Sequence, residues 1–338
     1  MTLTIAIPTY DRNGTLREHL ALLMPQLTQE CRLLIVDNCS PTPVVETIAD
    51  LVEAFPTTSV RIVRNRANIG GAANILRCLE YCETEWLWVL SDDDKPRPDA
   101  VATVLKSIAA SPACVFINYA SAFKSRQATF MTRGLDEFVK HLDEFGNVVF
   151  ISTSVFRASA LLSSLKYGYV YGYSWAPLVA TLLHALGEAG LCCFSAEQIV
   201  EYKAAAQKRW SYINWGLGMG ILLDAPMKPN TRKRLAKSIV RSVAYLDFAI
   251  VIELSAALNT KRMHRREAQF VYDQICRRIY YFQRDPIRWA RRSAFRALLW
   301  WPGFTYAACI GALRYIRRRK GKSEDVEGTW APDRLAGV

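Results

Sequence analysis

Three consecutive acids, Asp92, Asp93 and Asp94, follow Ser91 at the end of the apolar run Trp86–Leu90, and Lys95, Pro96, Pro98 and Asp99 come straight after. A short apolar run closed by turn residues reads as a buried strand leaving a sheet. Neighbouring carboxylates repel one another and are tolerable where water or a counter-ion reaches them. In open α/β sheets ligands bind at the carboxyl ends of strands. Hard divalent cations take oxygen ligands, commonly one or two carboxylates plus phosphate oxygens. The stretch therefore reads as a metal–diphosphate site at Asp92–Asp94. On these residues alone, a solvated acidic turn reads as well.

Other loops must reach the same edge for such a site to work. Leu3–Pro8 reads as a first strand, followed by the loop Thr9-Tyr10-Asp11-Arg12-Asn13 and a helix bearing Leu16, Leu20, Leu23 and Leu27, with Thr15 as its cap. Arg32–Val36 is a second strand, ended by Asp37-Asn38-Cys39-Ser40, and a helix with Val44, Ile48, Leu51, Val52 and Phe55 on one side follows. Val60–Val63 is a third, leading into Asn68-Ile69-Gly70-Gly71-Ala72-Ala73-Asn74 and a helix to about Cys82. Alternating strands and helices predict an α/β, mostly parallel, doubly wound sheet. Right-handed crossovers then gather the three loops beside the acids. Asp37 offers an acceptor to a base imide. Gly70-Gly71 lets backbone N–H groups approach a phosphate or ribose at a helix start. Taken singly, each is as readily an ordinary turn or helix start. The first loop, PTYDRNG, has no GxGxxG, which argues against a dinucleotide dehydrogenase. A phospho-acceptor aspartate at Asp37 or Asp93 would leave the Asn-Ile-Gly-Gly loop unexplained.

In order, IAIPTYDR, LLIVDNCS, RNRANIGGAAN and WVLSDDDKPRPDA resemble family 2 glycosyltransferases of GT-A fold over about Leu3–Ser111. The resemblance implies that Pro8, Thr9, Tyr10 and Asp11, with Asp37, hold a nucleotide. It implies that Asn68, Gly70, Gly71 and Asn74 border nucleotide and ribose. Asp92 falls near the ribose and Asp93 at the usual metal ligand of the DxD motif, with Ser91 where the first acid of that motif commonly stands. The implied reaction transfers a sugar, with inversion, from a nucleoside diphosphate sugar (UDP or dTDP favoured) with Mn²⁺ or Mg²⁺ as cofactor. The family places its base in a Glu-Asp pair opening a later helix, whereas no acid lies between Glu144 and Glu188 here. Asp143, Glu144 and His184 are the candidates that remain. A non-catalytic nucleotide-sugar-binding or membrane scaffold protein of the same fold is the alternative.

In the middle of the chain Ala113–Tyr119 and Val148–Phe156 read as strands, and the polar segment Ala120–Glu144 as a crossing of the site mouth. Tyr167–Trp175 is dense in aromatics and glycine, and suits either an acceptor wall or a tyrosine-packed loop. Leu178, Leu182, Leu183 and Leu186 follow at helical spacing. Lys203–Trp215 mixes bases with aromatics and reads as an amphipathic helix or linker, or a flap over the diphosphate.

Charge divides the 338 residues unevenly. Residues 1–225 hold 19 Lys+Arg against 22 Asp+Glu, and residues 226–338 hold 24 against 9. A boundary is expected near Pro226–Pro229: a transferase domain over 1–225, a basic amphipathic helical domain over 226–322, and a disordered tail over 323–338. Nine cysteines without a CxxC unit suit a reducing compartment, and the N-terminus predicts no secretory signal. Residues 297–313 are uncharged but broken by Pro302-Gly303, too short for the ~20 apolar residues of a spanning helix. With Trp300, Trp301 and Tyr306 at headgroup level and Arg314, Arg317, Arg318, Arg319, Lys320 and Lys322 beyond, an anionic membrane surface is the expected partner. No nucleic-acid module is recognisable. The family resemblance adds a saccharide or lipid-linked saccharide acceptor in surface polysaccharide assembly, and a cytoplasmic location, peripheral on the inner face of the cell membrane.

Overall fold

The computed structural model describes residues 1–142, 144–201, 211–282 and 286–319. Two compact units emerge, one of residues 1–203 and 225–231, the other of 204–224 and 232–338.

The first unit alternates strand and helix. β1 (Leu3–Thr9) leads to α1 (Asn13–Leu23), β2 (Cys31–Asp37) to α2 (Val44–Glu53), and β3 (Ser59–Arg64) to α3 (Gly71–Glu80). β4 (Trp86–Val89) is followed by the short β5 (Lys95–Pro96), α4 (Ala100–Ala110), β6 (Cys114–Asn118), β7 (Phe130–Arg133), α5 (Gly134–Lys140) and α6 (Phe145–Val149). β8 (Ser154–Arg157), α7 (Ala158–Leu162), α8 (Leu165–Val170), α9 (Pro177–Ala185), β9 (Leu191–Phe194) and β10 (Val200–Glu201) complete it. The main sheet has the order β3-β2-β1-β4-β8-β6-β9-β7, and β10 pairs with β5. β1 to β4 are mutually parallel, β6 and β9 are parallel to each other, and β7 and β8 run against their neighbours. This is the mostly parallel α/β sheet that the alternating pattern predicts.

The central strands form because their residues are buried on both faces. Ile5, Ile7, Leu33, Ile35, Trp86 and Trp88 join one apolar core with Leu16, Leu20 and Val104 from the flanking helices. Burying each such side chain contributes roughly 1.5–3 kcal/mol, which fixes the register that sets Thr9 beside Asp37 and Asp37 beside Arg64. The carboxyl ends of β1 to β4 and β6 therefore share one edge with the amino end of β8.

Two local expectations are corrected. Of the segment 148–156 only the part from Ser154 onward is strand, where β8 begins; the end of α6 and a 3-10 turn, Ile151–Thr153, precede it. Thr153 Oγ1 donates to the Asn147 and Phe150 carbonyls at 2.7 and 2.8 Å, and such local side-chain bonds compete with a ladder. Within the segment 120–144, β7 pairs with β9 at the sheet margin and α5 follows. Thr15 is not a cap: Arg12 is the residue preceding α1, and no side chain caps that helix.

The second unit is helical: α10 (Tyr212–Ile221), α11 (Pro229–Arg241, which begins in the first unit's segment), α12 (Leu246–Asn259), α13 (Arg265–Ile279), α14 (Pro286–Leu298) and α15 (Pro302–Arg319). Ile250, Ile252, Leu254, Ile275 and Ile279 are fully buried. Pro302 begins α15, where its missing N–H has no helical partner to lose.

Candidate active site at the carboxyl edge of the sheet

The acids stand where β4 ends. Leu90 N–H still donates to Ala6 O at 2.9 Å, after which Ser91 N–H turns to Ser152 Oγ at 2.9 Å. Asp92 is buried; its Oδ2 accepts from Thr9 Oγ1 at 2.7 Å and its Oδ1 from Arg12 Nη1 at 2.6 Å. The same Arg12 nitrogen donates to Asp93 Oδ2 at 2.9 Å, and Ser91 Oγ donates to Asp93 Oδ1 at 2.6 Å. Asp94 is buried too, its Oδ2 accepting from Ser152 Oγ at 2.5 Å. Asp93 alone of the three presents a largely exposed side chain, at 43%.

Burial pushes the Asp94 carboxyl up to about 7, with the Ser152 hydrogen bond opposing and the charges of Asp93 and Asp92 reinforcing the rise. Burial also raises Asp92, only partly offset by Arg12 and Thr9. The sequence gives little sign of Arg12 as the counter-ion, nor of Ser152 as the group that seats Asp94; both come from residues distant in the chain. Replacing Arg12 by Gln is expected to destabilise the protein by about 1–2 kcal/mol at pH 8, because Asp92 loses its cation. The gap should close as pH falls and the carboxyl takes up a proton. Urea melts of both proteins at pH 8 and pH 4 measure it.

The nucleotide-loop candidates gather at the same edge, in parts other than expected. Asp37 is 1% exposed; its Oδ1 accepts from Ser40 N–H at 2.8 Å, and its Oδ2 takes Arg64 and the Val44 N–H. Burial raises its carboxyl, but the bonds from Ser40, Arg64 and Val44 more than reverse that, leaving it below the usual range. Asp37 thus braces the loop and the start of α2.

Asn68 and Asn74 belong to an amide network with Asn38 and Asn65, which sequence patterning does not single out. Asn38 Nδ2 donates to Asn68 Oδ1 at 2.8 Å; Asn65 Nδ2 donates to Asn38 Oδ1 at 3.0 Å and to Asn74 Oδ1 at 2.8 Å; Asn74 Nδ2 donates to Val36 O at 3.0 Å. The network locks the second and third loops together. Gly70 has φ 83° at the start of α3, a region that favours glycine. A Cβ placed on Gly70 or Gly71 would meet nothing within 4 Å, so this turn borders open space, while the Gly70 N–H donates to Asn68 Oδ1 at 2.9 Å. Pro8 ends β1 beside Thr9, and Tyr10 and Asp11 are exposed. Asp11 and Cys39 both adopt left-handed backbone, φ 53° and 65°, and Asp11 N–H donates to Ser40 Oγ at 3.0 Å. Strained residues of this kind persist where neighbouring structure fixes them, commonly at binding edges.

The base candidates separate. Asp143 lies outside the described residues. Glu144 precedes α6, which the Asn147–Asn118 contact at 2.7 Å ties to the carboxyl edge, ahead of Ser152. His184 is corrected. It sits in the last turn of α9, stacked on Tyr167 with centroids 3.8 Å apart, with Nδ1 2.9 Å from Ala180 O. α9 leads to β9, which runs parallel to β6 and starts at the opposite edge, so His184 is carried away from the acids. Tyr167 is a packing residue, whereas Tyr173 and Trp175 are exposed, Trp175 with φ 62° just before α9.

Among the described residues no group of three or more His, Cys, Asp or Glu encloses a metal position. A cation bridging a diphosphate needs no such cage, because it keeps phosphate and water oxygens beside one or two carboxylates. The donor set fits that demand. Asp93 is accessible, Asp94 is under-solvated, and one guanidinium leaves the cluster with excess negative charge whenever Asp94 ionises.

The profile of glycosyl transferase family 2 matches residues 4–159. An uncharacterized glycosyltransferase of Haemophilus influenzae is 31% identical over 115 residues, which make up 34% of this chain and 37% of that protein; the match thus spans little more than a third of the relative. Among solved structures, S. aureus TarS 1-349 in complex with UDP-GlcNAc superposes with TM-score 0.61 at 13% identity, covering 97% of this chain and 95% of the other. The complex of TarS 1-349 with UDP gives 0.60 at 14% identity, with the same coverage. At that identity the likeness is one of fold.

Proposed function

From the match of residues 4–159 to the glycosyl transferase family 2 profile and the GT-A-like sheet, we propose that the protein moves a sugar, with inversion, from a uridine or thymidine diphosphate sugar to a saccharide acceptor. A lipid-linked saccharide of surface polysaccharide assembly is the acceptor class we favour. The reading rests on the acid turn: Asp92 and Asp94 buried, Asp93 accessible, all seated by Thr9, Arg12, Ser91 and Ser152 at the strand ends.

In the reaction, the bond from the anomeric carbon to the diphosphate oxygen breaks, and its electron pair leaves with the diphosphate. A new bond forms from that carbon to the acceptor oxygen, whose proton passes to a protein base. Mn²⁺ or Mg²⁺ held by Asp93 and Asp94 would supply a Lewis acid for the departing charge. Thr9 and Arg12 hold Asp92, Arg12 and Ser91 hold Asp93, and Ser152 holds Asp94, so the three carboxyl groups are already seated at the strand end. The amino end of α3 at Gly71 would offer its positive dipole end to the phosphates. Tyr173 and Trp175 offer rings to the acceptor sugar.

We assign the base to Asp143 or Glu144. Asp143→Asn or Glu144→Gln is expected to lower turnover about a hundredfold while donor affinity stays near that of the parent. Full activity in both variants would remove the assignment. Residues Ser174-Trp175-Ala176 ahead of α9 carry no acid, which is the observation favouring a binding protein without turnover. A thermal-shift panel of nucleoside diphosphate sugars with and without Mn²⁺, starting from UDP-GlcNAc, tests binding, since a ligand of the folded form raises its melting point. Release of free UDP over time then separates enzyme from binder. Absence of any Mn²⁺-dependent shift across the panel would overturn both readings.

A further inference from the structure

One face of α15 carries large apolar rings to solvent. Trp301, Phe304 and Tyr315 are 63%, 65% and 59% exposed. Phe304, Ala308, Gly311 and Tyr315 recur at spacings of four, three and four residues and form one stripe, all exposed. The opposite face is buried through Thr305, Cys309, Ile310 and Leu313 and packs on α12. The helix is therefore folded into its unit on one side and bare on the other. A Cβ built on Gly303 or Gly311 would meet nothing within 4 Å, so at these positions no element among the described residues covers that side.

The chain around this face is predominantly basic. Residues 286–319 contain eight arginines and no acid, and none of the eight falls within 297–313. Arg291 is paired with Asp247 and Arg296 with Asp273. Arg265 lies over the ring of Trp300 at 5.7 Å and Arg319 over that of Tyr315 at 5.3 Å. Aromatic rings with arginine alongside, bordering an uncharged strip, suit a headgroup layer in which rings reach the acyl boundary and guanidinium groups meet phosphates.

We propose that this face of α14–α15 docks in the plane of an anionic phospholipid bilayer, such as the inner face of a cell membrane. The inference stands independently of the transferase reading. Charge selects the occupant. A second copy would set basic surface against basic surface, and a nucleic acid would meet an uncharged strip where phosphate contacts need cations. An anionic lipid layer satisfies both rings and arginines. The helix lies along the surface: its uncharged part, 302–313, rises about 18 Å at 1.5 Å per residue against the ~30 Å of a hydrocarbon core. No helix among the described residues is long and apolar enough to cross a membrane.

The test uses the full chain and sucrose-loaded vesicles of phosphatidylcholine with or without phosphatidylglycerol. The protein is expected to sediment with the anionic vesicles at low ionic strength and to remain in solution with phosphatidylcholine alone. The double substitution Trp301→Ser and Phe304→Ser should weaken the partition about tenfold, with its melting curve unchanged because both side chains are already in water. Should that variant misfold, quenching of the parent protein's tryptophan fluorescence by brominated phosphatidylglycerol carries the same information. Failure to sediment, absence of quenching, or equal sedimentation of a folded double variant would overturn the proposal. So would a dimer in light scattering that the double substitution splits, or duplex DNA bound more tightly than the vesicles.

Discussion

Asp93→Asn is expected to lower kcat/KM for sugar transfer about a thousandfold, roughly 4 kcal/mol of transition-state stabilisation, and to abolish the Mn²⁺ dependence of donor binding. The argument is one of access. Asp92 and Asp94 each have buried oxygens already engaged by Thr9, Arg12 or Ser152. Asp93 reaches solvent and is held by Arg12 and Ser91 with its side chain 43% exposed. Asparagine keeps the shape and the Ser91 contact but removes the charge that a hard cation needs. The measurement is a titration of UDP-GlcNAc against melting temperature in Mn²⁺, paired with initial rates. A variant retaining both the shift and more than a tenth of the rate would eliminate Asp93 as the ligand.

Asp94→Asn is expected to stabilise the metal-free protein at neutral and alkaline pH while removing activity. The folded carboxyl is raised by burial to about 7 from an ordinary 3.8. Between those values the native state binds a proton that the unfolded state has released. Stability of the parent therefore falls as pH rises from about 4 to about 7, by up to roughly 4 kcal/mol for a rise of this size. Asparagine carries no charge to desolvate and can still accept from Ser152, so its stability should stay flat over that window. The two proteins should melt alike near pH 4, with the variant higher at pH 8. Adding Mn²⁺ at pH 8 should raise the parent and leave the variant unmoved. A parent whose denaturant stability did not decline between pH 4 and pH 7 would show that Asp94 ionises as an ordinary carboxylate.

Together these outcomes describe a site that stores instability until its ligand arrives. The cluster concentrates like charge in a buried turn and supplies a single guanidinium against it, as is common where binding rather than stability sets the arrangement.

Much of this architecture is legible in one dimension. Apolar runs such as LTIAIP and RLLIV, closed by Thr-Tyr-Asp and Asp-Asn, mark β1 and β2 because strands buried on both faces have no polar alternation to blur them. Parallel order follows from the helices between them, and the common placement of the acid turn and the Gly70-Gly71 loop follows from parallel order. The segment 148–156 misleads for a definable reason: its apolar composition suits a strand, but the Thr153 hydroxyl takes the local carbonyls of Asn147 and Phe150. His184 misleads because a sequence shows that a histidine exists on a helix, not which end of the sheet that helix reaches.

The order of residues by itself determined the sheet, its ligand-bearing edge, the family resemblance and the presence of three acids at one strand end. Only the folded chain decided which of them is buried and which reaches solvent. That outcome depends on burial and on partners brought from 58 to 83 positions away: Thr9 and Arg12 on Asp92, Ser152 on Asp94. It also took Asp37 out of solvent to brace a loop and turned one side of α15 to water. Ionisation and accessibility are set by what surrounds a group in space, and chain neighbours supply only part of those surroundings.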